Sequence, residues 1–311
     1  MNYYIDRFIV FRNVVFCDGW FSGLASPNAS ILVLIDDRTF TPELRRVTRE
    51  DLRNAFGRGA EHWGFRLRCM LSDDVTADFL RHVKLKLSDG SKTQVIEAPA
   101  QQRAGVEYAE LMKAQRTFFD AISSQPAPKI LEIGSRARSG IVRRALFPEK
   151  AHYVGFDIKE GPNVEIVGDA HRLSSYVNDR FHFVYCIATF EHLAMPWKVA
   201  IEINRVLEPG GLVFVQSHQT WPIHDEPWDF WRFSKHAWRA LFNDHTGFEI
   251  LAVAHSEPAV VLPALQTGNP ITMLENEIGY LGSSCLARKI GDAQVSWEVD
   301  ASTVTQGIYP A

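Results

Sequence analysis

Cysteine is scarce. The 311 residues hold four, Cys17, Cys69, Cys186 and Cys285, far apart and without a CxxC pair. That excludes a disulfide framework and a zinc knuckle, and buried free thiols are the expectation. Long apolar runs are missing as well. None approaches the roughly 18 residues that cross a bilayer as a helix, so no transmembrane segment is expected. The opening residues, MNYYIDRF, bring in Asp6 early and lack a basic stretch leading into an apolar one, so nothing marks export and a cytoplasmic protein is expected. Nor is there an excess of positive charge. Residues 1–100 carry 14 Lys and Arg against 13 Asp and Glu, the remainder 19 against 24, and neither part clusters its cations as counterion release on a nucleic acid demands. Nucleic acid is therefore not expected as a partner. What is there is ordinary for a folded chain, 46% hydrophobic and 23% charged residues, with length enough for two domains.

The first hundred residues read as strands: Phe8–Phe16, Ser30–Asp37, Phe65–Leu71 and His82–Gly90. In the last, Val83, Leu85 and Leu87 alternate with Lys84, Lys86 and Ser88, the period of a sheet with one wet face. One helix is expected over Arg49–Phe56, capped by Thr48. Residues 1–100 thus predict an antiparallel β-sandwich, a linker follows at Ala98–Gly105, and residues 106–311 form the second domain. There Tyr108, Leu111, Met112, Phe118, Phe119 and Ile122 recur at helical spacing until Pro126. From Lys129 onward strands (KILEI, YVGFD, VEIVGD, FHFVYCI, LVFVQS, FEILAVA, SSCLARK) alternate with helices near Ile141–Leu146, Pro196–Val206 and Lys235–Phe242. Such alternation predicts an α/β fold with a parallel sheet covered on both faces, its ligand at the carboxyl ends of the strands.

Lys129–Gly140, KILEIGSRARSG, is a strand entering a glycine turn, but it is not GxGxxG: Arg136 stands where the second glycine would be, and Arg138 one residue before the third. Backbone cradling of a dinucleotide pyrophosphate is poor there. Glu132 would repel a phosphate yet suits a ligand carrying an ammonium and a sulfonium. The next strand ends at Asp157, whose two oxygens can accept from both hydroxyls of a ribose. A third ends in Gly168-Asp169-Ala170, where Asp169 can accept from an adenine amino group and the Ala170 N–H can meet a ring nitrogen.

These segments, with FEHLAMPWKVAIEINRVLEPGGLVFV (Phe190–Val215) and HDEPWDFWRFS (His224–Ser234), resemble a class I methyltransferase dependent on S-adenosyl-L-methionine, of the type found with bacterial surface-polysaccharide biosynthesis. The resemblance covers about Tyr108–Ile290. It implies a Rossmann-like, seven-stranded sheet whose last strand is antiparallel, S-adenosyl-L-methionine as cofactor, and a substrate lid after the fifth strand. The cofactor contacts it implies are Glu132, Gly134, Ser135, Arg136, Gly140, Asp157, Ile158, Asp169, Ala170 and Ile187. CDGWFSG and KLKLSDG resemble, more weakly, small β domains that accompany glycan-modifying enzymes. Trp20, Phe21 and Trp63 could form a sugar platform there, with burial in the core as the competing reading.

The lid segment gathers His218, His224 and His236 with Trp221, Trp228, Trp231 and Trp238. Flat aromatic faces among His, Asp and Arg suit a sugar or glycan acceptor. His224 with Asp225, restrained between Pro222 and Pro227, is the expected general base, since a hydroxyl must lose its proton as the methyl moves, and His192 is the second candidate. Asp229 and Arg232 could orient the ring. No metal is indicated, because adjacent residues on an extended segment point apart. Two other functions compete: an NAD(P)-dependent oxidoreductase on a similar sheet, and a non-catalytic glycan-binding protein.

Overall fold

A computed structural model describes residues 2–11, 14–72, 83–97, 103–138, 140–259, 261, 279–301 and 304. The chain divides into two compact units, Met1–Val106 and Glu107–Ala311. In the first, β1 (Tyr3–Phe11), β2 (Val14–Phe21), β5 (Glu43–Val47) and β6 (Gly64–Met70) form an antiparallel sheet in the order β1-β2-β6-β5. A second antiparallel sheet comprises β3 (Ser30–Ile35), β4 (Arg38–Phe40), β7 (Val83–Ser88) and β8 (Thr93–Glu97) in the order β4-β3-β7-β8. Alternation along β2, β3 and β7 turns every second residue inward. The inward residues of both sheets, among them Val15, Cys17, Val33, Leu67, Leu85 and Leu87, share one core. Two expectations are corrected here. The run Phe8–Phe16 is not one strand but parts of β1 and β2, which pair antiparallel with Phe11 opposite Val14. Helix α1 (Glu50–Phe56) has Arg49, not Thr48, at its N-cap, and the Arg49 side chain bonds Asp51 and Asp6 instead of capping.

Helix α2 (Arg103–Ser124) lies in the second unit for all but its first four residues; of the linker expected at Ala98–Gly105, residues 98–102 lie outside the described residues and the rest is already helix. Strands β9 (Lys129–Ile133), β10 (His152–Asp157), β11 (Ile166–Val167), β12 (Phe181–Ile187), β13 (Leu207–His218), β14 (Phe248–Ala259) and β15 (Gly279–Lys289) build one sheet in the order β11-β10-β9-β12-β13-β15-β14. The first five are parallel, while β15 runs antiparallel to both β13 and β14. The order reverses between β9 and β12, so a crevice opens beyond their carboxyl ends.

Burial on both faces explains why these strands are near-continuously apolar. On one face Leu111, Ala114, Phe118 and Ile122 of α2 pack on Ile130, Phe183, Tyr185 and Phe214. On the other, Val199, Ala200, Ile203 and Val206 of α3 (Pro196–Val206), with Trp238 of α4 (Ala237–Leu241), cover Leu131, Ile133, Val184, Cys186 and Val215. All four cysteines are free and buried. The helix expected over Ile141–Leu146 is a single 3-10 turn, Arg143–Leu146. Few residues separate Gly140 from Pro148, and Val142 is extended, so there is no room for the costly first turns of an α-helix. The Pro209-Gly210-Gly211 turn sits inside β13 as an irregularity, between the pairs Phe181–Leu207 and Phe183–Leu212.

Candidate active site

A cavity of about 390 Å³ lies at the strand ends, where the turns after β9, β10 and β12 meet the segment that follows β13. Its wall includes Gly134, Arg136, Arg138 and Arg143 from the first turn, Asp157, Ile158 and Lys159 from the second, and Ile187–Thr189, Glu191 and His192 from the third. His224, Asp225 and Trp228 complete it. Gly134 is required by geometry. Its φ is 76°, and a Cβ there would lie 2.0 Å from Thr189 Oγ1. The bare backbone leaves Thr189 at the cavity wall.

Asp157 terminates β10 with its carboxylate held by two backbone donors, Arg136 N–H to Oδ2 at 3.2 Å and Lys159 N–H to Oδ1 at 3.0 Å. Such fixing presents its remaining acceptor capacity to the cavity. Glu132 is placed otherwise than expected. It is fully buried behind the wall, accepts a hydrogen bond from the Tyr153 hydroxyl, and lies 3.7 Å from Arg143 Nη1. Burial pushes its carboxyl above the usual range despite the opposing pull of Tyr153 and Arg143. Its physical consequence is to orient Arg143, a wall residue the sequence reading passed over because it lay in an expected helix.

Ser135, Gly140, Asp169 and Ala170 also stand outside the cavity wall. Ser135 is buried, and Asp169 caps a 3-10 turn, accepting from the backbone and ring of His171. His171 Nε2 in turn accepts from Met195 N–H, so the His171 proton sits on Nδ1 and faces Asp169. Gly134, Arg136, Asp157, Ile158 and Ile187 of the expected cofactor set do line it, joined by Arg138, Arg143, Lys159, Ala188 and Thr189. The acidic Asp157 and cationic Arg136 and Arg143 match a ribose and a carboxylate, and Ile158 and Ile187 match an adenine; the wall fits S-adenosyl-L-methionine.

All three expected catalytic residues, His192, His224 and Asp225, also line the cavity, with a changed pairing. The carboxylate beside His224 is Asp229, which accepts the His224 backbone N–H at 2.8 Å and lies 3.1 Å from its Nδ1. Asp225 instead meets Arg138 Nη1 at 2.5 Å, tying the segment after β13 to the glycine turn, and that cation holds its carboxyl below the usual range. The change follows from the backbone: Asp225 has φ of 52°, which turns it away from its neighbour. Arg232 clamps Asp229 with two parallel bonds of 2.6 and 2.7 Å and drives its carboxyl far down. His192 Nδ1 donates to the Trp228 carbonyl at 2.7 Å, which leaves Nε2 as the ring's acceptor. The two imidazoles meet edge to face at 4.8 Å. Glu191, wholly buried, accepts from the Ser217 hydroxyl at 2.6 Å, and its other oxygen lies 2.9 Å from His218 Nδ1. Although burial works against its charge, His218 and Ser217 hold its carboxyl below the usual range. His218 stacks on Trp221 at 4.7 Å.

Residues 102–253 match the family model described as a methyltransferase domain. No curated protein matches the chain at a significant level. Among solved structures it is similar to a SAM-dependent methyltransferase from Archaeoglobus fulgidus (15% identity, 58% of this chain and 94% of that one, TM-score 0.40). It is also similar to the YcgJ protein of Bacillus subtilis (15% identity, 58% and 99%, TM-score 0.41) and to a SAM-dependent methyltransferase of Methanosarcina mazei (17% identity, 53% and 94%, TM-score 0.35). The sheet order, the cavity and the family match together mark residues 102–253 as a methyltransferase domain, and the cavity wall fits S-adenosyl-L-methionine as its cofactor.

Proposed function

We propose that the chain methylates a hydroxyl group of a sugar, in a surface polysaccharide or its cytoplasmic precursor, and that the two-sheet N-terminal unit is an accessory β-sandwich. The observation that carries this reading is the rim of the cavity, where His192 and His224 stand together beside Trp228. S-adenosyl-L-methionine, when bound, supplies a methyl group already activated by its sulfonium. The task left to the protein is alignment of the acceptor oxygen and removal of its proton. His192, with Nδ1–H fixed on the Trp228 carbonyl, has Nε2 available for that proton. The half-exposed indoles of Trp221 and Trp231 supply flat faces for sugar C–H groups, and the nearby carboxylates and imidazoles supply hydrogen bonds.

The test is incubation with methyl-labelled S-adenosyl-L-methionine and candidate nucleotide sugars and polysaccharides. Label recovered as an O-methyl sugar after hydrolysis is the expected result; label confined to protein, lipid or nucleic acid overturns the reading. His192→Ala is expected to lower turnover by about 100-fold or more while cofactor affinity stays near wild type.

A further inference from the structure

We propose that Glu191, His218 and His224 bind one divalent transition-metal ion at the acceptor end of the cavity. One donor atom from each of the three lies within 4.8 Å of the others. They come from three separate segments: the turn after β12, the end of β13, and the loop beyond it.

Unsatisfied buried atoms point to the same place. Glu191 is wholly buried; Ser217 satisfies Oε2, but Oε1 has no hydrogen-bond partner, and neither has His218 Nδ1. These two atoms are 2.9 Å apart, yet not aligned as donor and acceptor. A buried carboxylate oxygen that has imidazole nitrogens near it but no hydrogen bond is incompletely satisfied. A cation placed between them resolves both, because two ligand atoms each about 2.0–2.1 Å from an ion lie roughly 2.9–3.4 Å apart, so only a few tenths of an ångström of adjustment admits a tetrahedral ion. His224 has the support a ligating imidazole requires: its Nδ1 meets the Pro222 carbonyl at 3.2 Å and lies 3.1 Å from Asp229, which Arg232 clamps. The same clamp commits Asp229 to Arg232, so Asp229 is a support and not a ligand.

One carboxylate oxygen and two imidazole nitrogens suit Zn²⁺, Mn²⁺, Fe²⁺ or Co²⁺; Mg²⁺ and Ca²⁺ prefer oxygen donors throughout. Three protein ligands leave a coordination position open, and Glu191 and His224 both face the cavity. An acceptor hydroxyl taken into that position would have its proton acidified before His192 removes it. That role rests on the hydroxyl-acceptor reading above; the binding of the ion does not.

The full chain, stripped with a chelator, would be titrated with Co²⁺ in the absence of any acceptor, reading the visible d–d absorption and its displacement by Zn²⁺. One saturable equivalent per chain is expected, with His218→Ala and His224→Ala each weakening binding about 10- to 100-fold or more at unchanged circular dichroism. Glu191→Gln should do the same, and the two histidine variants carry the test where that variant fails to fold. Absence of the bands in the wild-type protein, or equal affinity in wild type and both histidine variants, overturns the site. Absent bands with sugar methylation intact refute the metal alone; bands without transfer to any sugar uphold the metal site and refute the acceptor.

Discussion

At the scale of the residue, the site depends on where charge is buried. Glu132 is an acid whose folded pKa is raised by burial, so the native state keeps its proton to higher pH than the unfolded chain does. Below the unfolded value of about 4.3 the group costs nothing. As pH rises from there through the raised folded value, its ionisation removes stability, and above that value the loss is complete. Glu132→Gln retains an acceptor for Tyr153 and removes the titration. The urea midpoint of wild type relative to this variant should therefore fall as pH rises above about 4.3 and level off once the raised folded value is passed. That behaviour was not legible in the residue itself. A Glu at the end of a strand reads as a ligand for cofactor ammonium, and only the tertiary structure brings Tyr153 and Arg143 to it within the buried β9.

At the scale of the element, two short connections matter more than the helices. The glycine turn and the segment after β13 meet through Arg138 and Asp225, and the Arg138 side chain is 63% exposed. An ion pair that wet is worth about 0.2–1 kcal/mol, so it acts as a weak latch on the cavity mouth and not as a pillar of the fold. Arg138→Ala should raise KM for cofactor or acceptor about 2- to 5-fold at unchanged kcat. Asp225→Ala should do the same, and the double variant should add nothing, as steady-state kinetics on the cycle would register. Periodicity located α2 and α3 well, because an amphipathic stripe answers to its own spacing. It failed over Ile141–Leu146, where length between Gly140 and Pro148, not apolar content, decided the conformation.

At the scale of the whole molecule, a ligand that binds only the folded state stabilises it by mass action. S-adenosyl-L-methionine at about 100 times its Kd should add about 2.7 kcal/mol, or roughly 5–10 °C in the Tm of a unit this size, whereas NADH should shift nothing. Asp157→Ala should shrink the S-adenosyl-L-methionine shift, since the ribose hydroxyls lose a charged acceptor. Calorimetric melting curves check all three. The alternation of strand and helix signals from Lys129 to Lys289 is a local property, written in apolar runs, glycines and prolines. It was enough to specify a mainly parallel sheet and to put Asp157 at a strand end. Which side chains then meet is a non-local matter. Asp229 rather than Asp225 reaches His224, and Arg143 rather than Glu132 faces the cavity. Glu191, in the turn after β12, joins His218 at the end of the neighbouring β13. These pairings arise from φ at single residues and from the closure of loops distant in sequence, and no spacing rule within one segment encodes them.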